Sequence, residues 1–315
     1  MHIIERLFMT IAKPGSLFSL QGEYPFQMKS QPKYRWWKPI FAGILTLVLF
    51  TLFFIVSSTI IYFISGQDEQ VKAVLVRSSG SSYIGGDANN PFVMLISFIP
   101  LALLIPSVGI SMRVFGLGGL RTLSSTEGKL RWKRFLDYAP LTFAVALVIT
   151  IIEMVIPAAC GESLGEFSFV PITLLIIVIL CPFQCAAEEY IFRGFMFQTF
   201  ASWIPIVVIP LIIQTLLFTM LHGYNLLGLL NVAVVGVCTA WLTVKTGGLE
   251  ASISLHSVNN VISFLSGSLF VSQATQTDID VLGMISGIVY VLILTAVVYL
   301  IAKRKGYTEA QRTEA

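Results

Sequence analysis

Residues 169–199 read "FVPITLLIIVILCPFQCAAEEYIFRGFMFQT", and this stretch decides the fold class. It opens as an unbroken apolar run and then takes two adjacent acids, Glu188 and Glu189, and one base, Arg193. About 20 apolar residues suffice to cross a bilayer as a helix, because each residue rises roughly 1.5 Å. Runs of the same kind recur at about 39–66, 91–115, 136–157, 204–222, 225–244, 249–269 and 281–302. The pattern predicts an all-α polytopic membrane protein of about eight transmembrane helices, with a polar cavity inside the membrane. Composition agrees. Of 315 residues, 56% are hydrophobic and 12% charged, about half the charged share of a soluble domain. So many apolar runs cannot be buried in one soluble core of this size, and a soluble protein is excluded.

Charge sets the orientation. The net charge of +3 is too small to point to nucleic acid. Basic residues gather instead beside the apolar runs: Arg6, Lys13, Lys29, Lys33, Arg35 and Lys38; Arg113, Arg121, Lys129, Arg131, Lys133 and Arg134; and Lys303, Arg304, Lys305 and Arg312. With eight spans, all three groups fall on one side, which the positive-inside rule makes cytoplasmic. The opposite loops carry Glu162 and Glu166, then Asp278 and Asp280, without Lys or Arg. The loop at about 67–90 is Gly/Ser-rich, with Lys72 and Arg77 against Asp68, Glu69 and Asp87. Both termini are expected in the cytoplasm, and the short loops lean towards a bacterial cytoplasmic membrane. The expected organisation is a cytoplasmic segment 1–38, N-terminal helices over 39–157, a catalytic helical core over 169–302 and a tail 303–315. The first 38 residues lack a cleavable signal pattern, so the first helix is expected to act as an uncleaved insertion signal.

Two features read as structural. Cys181 and Cys185 are four apart on one helical face and are expected to pack as small apolar groups; Cys160 and Cys238 form no CxxC with them. "FGLGGL" at 115–120 has no strand–turn–helix context and reads as a cytoplasmic turn.

Charges within a membrane helix cost about 2.5–3.5 kcal/mol each near the centre, so they mark function or a buried pair. Here they cluster in the second half: Glu188, Glu189 and Arg193; Phe218 and His222; His256, Asn259 and Asn260. Glu189 and Arg193 are four apart with the acid first, the favourable order for an ion pair. Glu188 lies about 140° round the helix from Arg193 and is free for a different task, as a general base or acid. His256 and Asn260, four apart, point one way and can both donate to a developing oxyanion. His222 shares a face with Phe218, which offers an apolar wall. Such a set in a low-dielectric pocket could hydrolyse an amide. The blander readings are a structural ion pair for Glu189 and Arg193, polar satisfaction for the histidines, interhelical hydrogen bonds for the asparagines and snorkelling for Glu153.

The three motifs, "EEYIFR" at 188–193, "FTMLH" at 218–222 and "HSVNN" at 256–260, resemble those of the CPBP family, which includes the type II CAAX prenyl endopeptidases. The resemblance covers about 170–265. It implies an intramembrane glutamic endopeptidase acting on a membrane-associated or lipidated protein or peptide within the bilayer. Carried over, Glu188 with His222 would activate water, His256 and Asn260 would stabilise the oxyanion, and Glu189, Arg193 and Phe218 would support them. It implies no cofactor in the favoured reading, with a divalent-metal variant on the same residues as the alternative. This chain has no HExxH, and a catalytic zinc takes three protein ligands. Rivals from other classes are a transporter, which an internal inverted repeat would favour, and a non-catalytic scaffold or immunity protein. Depth is the open question. If span five runs outward from about 204, His222 lies near its far end while Glu188 and His256 lie nearer the cytoplasm, unless Pro205, Pro210 and the "HGYN" break shorten it.

Overall fold

The structure is a computed structural model that describes residues 22–77, 88–161, 163–270, 278–309 and 311. His2, Arg6, Lys13, Asp87, Glu162 and Arg312 lie outside the described residues.

Helix α1 (Lys38–Ile64) is apolar all round and scarcely buried, as expected of a helix whose solvent is lipid. A short α2 (Glu69–Arg77) starts where Asp68 Oδ1 accepts from the amides of Gln70 and Val71 at 2.9 and 3.0 Å. The next span is broken into α3 (Pro91–Ala102) and α4 (Leu104–Val114). Pro100 and Pro106 each remove an amide donor around that break. A short α5 (Leu120–Ser124) leads to α6 (Trp132–Ala159). Next come α7 (Pro171–Glu189), a wide π-helical turn (Tyr190–Met196) and α8 (Phe197–Trp203), which form one continuous rod.

The remaining helices are α9 (Val208–Met220), α10 (Leu226–Thr246), α11 (Glu250–Leu269) and α12 (Val281–Arg304). Asn225 and Asp280 cap α10 and α12 by accepting from Gly228 and Gly283 amides at 2.9 and 2.7 Å. Gly247, at φ 65°, ends α10 in the left-handed conformation that a side chain would resist.

Six of these helical stretches are long and apolar enough to cross a membrane: 38–64, 91–114, 132–159, 171–203, 226–246 and 281–304. The chain is an all-helical integral membrane protein. The expected count of eight is approximate, for two physical reasons. Helix α9 has 13 residues, about 20 Å, short of a hydrocarbon core of about 30 Å. Helix α11 is long enough but carries serines, His256, Asn259 and Asn260 along its length, so its hydropathy is low. It is tolerated because it is central. Its apolar residues Ala251, Leu255, Val258 and Ile262 pack with Tyr138 and Ala146 of α6 and with Leu294 and Val298 of α12. Val261 joins Ile177, Cys181 and Cys185 of α7 and Phe98 of α3.

Two devices fix α11 at its start. The loop before α6 pairs with the α10–α11 turn, Leu249 N donating to Ser124 O and Thr126 N to Gly247 O, both at 2.9 Å. The Arg131 guanidinium then clasps the Glu250 carboxylate through Nε at 2.8 Å and Nη2 at 2.5 Å, with both residues buried. Burial alone would pull the Arg131 guanidinium down, but Glu250 and then Glu127 hold it above its usual value. Ahead of α1, the segment from residue 22 folds against this same end. Tyr24 and Met28 are fully buried among Leu123, Tyr190, Phe197 and Val244, and Tyr24 Oη donates to Leu123 O at 2.5 Å.

Candidate active site

The residues singled out from the sequence come from three elements that meet where α7 gives way to the wide turn. Glu188 and Glu189 end α7, Arg193 lies in the wide turn that continues it, Phe218 is in the last turn of α9 with His222 two residues past its end, and His256 and Asn260 lie on α11. Wide turns of this kind frequently occur at functional sites, because they re-aim side chains within a helix.

Arg193 is fully buried, and its Nη1 lies 3.1 Å from Glu189 Oε1. The approach is ionic rather than a well-angled hydrogen bond, since among the described residues none of the three guanidinium nitrogens makes one. The cation also stacks on Phe218, with Cζ 4.2 Å from the ring centroid. Glu189 Oε1 serves a second partner, His256 Nδ1, at 2.8 Å. The same carboxylate therefore joins the first motif to the third.

Around His256 the hydrogen bonds have one consistent direction. Asn259 Nδ2 donates to Asn260 Oδ1 at 2.9 Å, which turns the Asn260 amide nitrogen towards His256 Nε2, 3.2 Å away. With Nε2 accepting, the ring proton resides on Nδ1 and is donated to Glu189. Asn259 thus acts along its own helix, orienting its neighbour. Glu188 Oε2 lies 3.7 Å from His256 Nε2, and its other oxygen accepts from Gln184 Nε2, one turn earlier on α7. Gln184 was not singled out from the sequence, although a polar residue four positions before Glu188 in an apolar run is a readable signal.

The second motif reaches the same place. Phe218 is 1% exposed, and its ring lies 5.0 Å from that of Phe192, 4.6 Å from His222 and 6.0 Å from His256, centroid to centroid. His222 Nδ1 donates to Phe218 O at 2.8 Å, and among the described residues Nε2 makes no hydrogen bond. The Phe218 ring, in contact with Phe192, His222 and His256, is what links this motif to the other two. Because α9 is so short, it stops level with Phe192 and Arg193, and the turn carrying His222 begins at the site. Past it, Asn225 Nδ2 donates to Ile279 O at 2.8 Å and ties that turn to the start of α12.

Among the described residues, no three His, Cys, Asp or Glu side chains are placed to hold one metal ion. The set gathered here can accept a proton at Glu188 and donate from an amide at Asn260. It can also stabilise an imidazolium between His256 and the two carboxylates.

Residues 170–262 match the family model described as Type II CAAX prenyl endopeptidase Rce1-like, and that window holds all three motifs. The chain is also similar to "Uncharacterized protein YyaK" of Bacillus subtilis strain 168, at 28% identity over 187 residues, 55% of this chain and 61% of that protein. An "Uncharacterized 24.3 kDa protein" of Escherichia coli is 35% identical over 99 residues, 30% of this chain and 44% of that protein. The chain thus spans less than two thirds of the length of each. No solved structure matches it. It is the Rce1-like type II CAAX prenyl endopeptidases that this chain resembles, through the helices that carry the site.

Proposed function

We propose that the protein is an intramembrane endopeptidase that hydrolyses a peptide bond of a membrane-associated or lipidated protein or peptide, using water activated by Glu188. The observation that carries this reading is a buried carboxylate, Glu188, lying 3.7 Å from His256 Nε2, with Asn260 on the same nitrogen and the Phe218 ring set between His256 and His222. Glu188 takes a proton from a water held with His222 Nε2, and the resulting hydroxide attacks the scissile carbonyl. Asn260 Nδ2, released from His256, donates to the tetrahedral oxyanion, and His256 joins it as the proton taken up by Glu188 passes to Nε2, 3.7 Å away, to return to Glu188 before collapse. Glu189, fixed by Arg193, stabilises the imidazolium through Nδ1. Collapse of the intermediate breaks the C–N bond as Glu188 returns its proton to the leaving amine. The reaction needs no cofactor in this reading. The basic residues that flank the helix ends support both termini on the cytoplasmic side, and the short loops support a bacterial cytoplasmic membrane.

The test is peptide cleavage by the purified protein in nanodiscs, with wild type and Glu188→Gln compared, each with and without a chelator. Loss of about 10²–10⁴-fold in the variant, with wild-type cleavage resistant to chelation, is the expected result. Cleavage that survives Glu188→Gln refutes the assignment. Chelator-sensitive cleavage restored by added metal replaces it with a metalloprotease.

A further inference from the structure

The "FGLGGL" turn at 115–120 takes no part in the site, but its glycines lie under two cations. Gly116 and Gly119 have φ of 70° and 77°, and a basic side chain crosses each of them. A Cβ on Gly116 would sit 3.0 Å from Lys33 Cδ, and one on Gly119 would sit 2.9 Å from Arg113 Cγ. The bare backbone thus lets the segment before α1 and the end of α4 bring Lys33 and Arg113 to one turn. Lys38 is held there too, its Nζ donating to Lys33 O at 2.6 Å. Lys29 and Arg35 are exposed on the segment before α1, and Arg121 is exposed just past the turn.

Among the described residues, none of these cations has a carboxylate within ion-pair distance. The α6 and α12 side of the same end is different. Arg131 pairs with Glu250 and Glu127, Arg134 with Glu127, and Lys133 and Lys305 with Asp137. One side is neutralised by the protein's own acids, and the other presents its charge outward.

The depth of the patch says to what. Lys38 opens α1, and Phe41 stacks at 6.3 Å with Phe115, just past α4, so the two helix ends are level. Trp36 and Trp37 are exposed beside them, and Trp203 Nε1 donates to Trp36 O at 2.9 Å. Tryptophan rings at helix ends settle at the headgroup level of a bilayer. Next to the patch, Ile40 and Ile44 of α1 and Ile110 and Val114 of α4 are exposed, an apolar surface suited to acyl chains. A soluble anion would use the cations alone, whereas a phospholipid uses the cations, the indoles and the apolar faces together.

We propose that this patch binds the headgroups of anionic membrane phospholipids, whose phosphate oxygens take the place that carboxylates hold on the α6 and α12 side. A headgroup shared by Lys33 and Arg113 ties the segment before α1 to the turn after α4. That segment buries Tyr24 and Met28 against Tyr190 and Phe197, so the lipid fastens the packing next to the wide turn. The proposal does not depend on the endopeptidase reading, because binding needs no turnover.

The test places the purified protein in phosphatidylcholine bilayers with increasing fractions of phosphatidylglycerol, the chains of one lipid or the other being brominated. Quenching of Trp36, Trp37 and Trp203 gives the relative affinity for the two headgroups. Wild type should prefer phosphatidylglycerol by about tenfold or more, since each basic residue near an anionic surface contributes roughly fivefold. Lys33→Gln, Arg35→Gln and Arg113→Gln together should lose most of that preference. Lys129→Gln, Lys133→Gln and Lys305→Gln, an equal change of charge on the other side, should keep it within about threefold. Equal affinity for both lipids in wild type, or a loss in the patch variant no larger than in this control, overturns the proposal. Inorganic phosphate that abolishes the preference at matched ionic strength overturns it as well, since the patch then serves a soluble anion. All the substituted side chains are exposed, and far-UV circular dichroism checks that each variant is folded.

Discussion

Replacing Glu189 by Gln keeps the shape of the side chain and removes the nearer of the two carboxylates, Glu189 and Glu188, that act on Arg193. Arg193 is 0% exposed, its ionic partner is 3.1 Å away, and among the described residues its nitrogens make no well-angled hydrogen bond. The variant would therefore strand a buried cation, at a cost of about 3–5 kcal/mol. The Phe218 ring at 4.2 Å contributes about 0.5–2 kcal/mol to holding the cation, but it does so in both proteins and cannot offset the loss. A second substitution separates this cost from any other defect. In Glu189→Gln with Arg193→Met the stranded charge is gone, and the double variant should recover more than half of the lost stability. Reversible unfolding in mixed micelles measures all four proteins of the cycle. A single-variant cost under about 1 kcal/mol, or a double variant no better than the sum of its parts, would refute the claim that Arg193 depends chiefly on Glu189.

Three further outcomes follow from individual contacts. Gln184→Leu removes the donor to Glu188 Oε1 and should lower kcat by about 10–100-fold with little change in KM, measured on the same peptide. Asn259→Ala frees the Asn260 amide to flip, and cleavage should fall about 3–10-fold; Asn259→Asp, whose carboxylate cannot donate, should fare no better. Tyr24→Phe leaves the buried Leu123 carbonyl without its 2.5 Å donor and should cost about 1–3 kcal/mol in unfolding, with kcat per folded molecule unchanged.

Much of the architecture was legible because lipid imposes a simple rule on sequence. The expected spans 39–66, 225–244 and 281–302 correspond to Lys38–Ile64, Leu226–Thr246 and Val281–Arg304, since nothing but an apolar helix satisfies its backbone there. The Glu189–Arg193 contact was legible for a local reason, four residues on one helix. The link from Glu189 to His256 spans 67 positions, and that from Arg131 to Glu250 spans 119; neither spacing nor composition announces them. The abrupt end of α9 was half visible in Pro205, Pro210 and the "HGYN" break, but only the fold shows that stopping there brings His222 level with the other motifs. The wide turn after Glu189 left no mark at all. Its side chains Tyr190, Phe192 and Phe195 are buried against other elements, and such neighbours are not readable from the local sequence.

That wide turn has a mechanical meaning. It amounts to one residue more than a regular helix would use, which advances everything after it by about 100°. Before the turn, Ile177, Cys181 and Cys185 keep step with α3 and α11. After it, Phe195 and Phe197 keep step with Tyr24 and Met28. The rod is two screws of the same pitch joined out of phase, each threaded into its own neighbours. Neither half can turn or slide without stripping the other, and the two glutamates are held at the joint where that opposition is greatest.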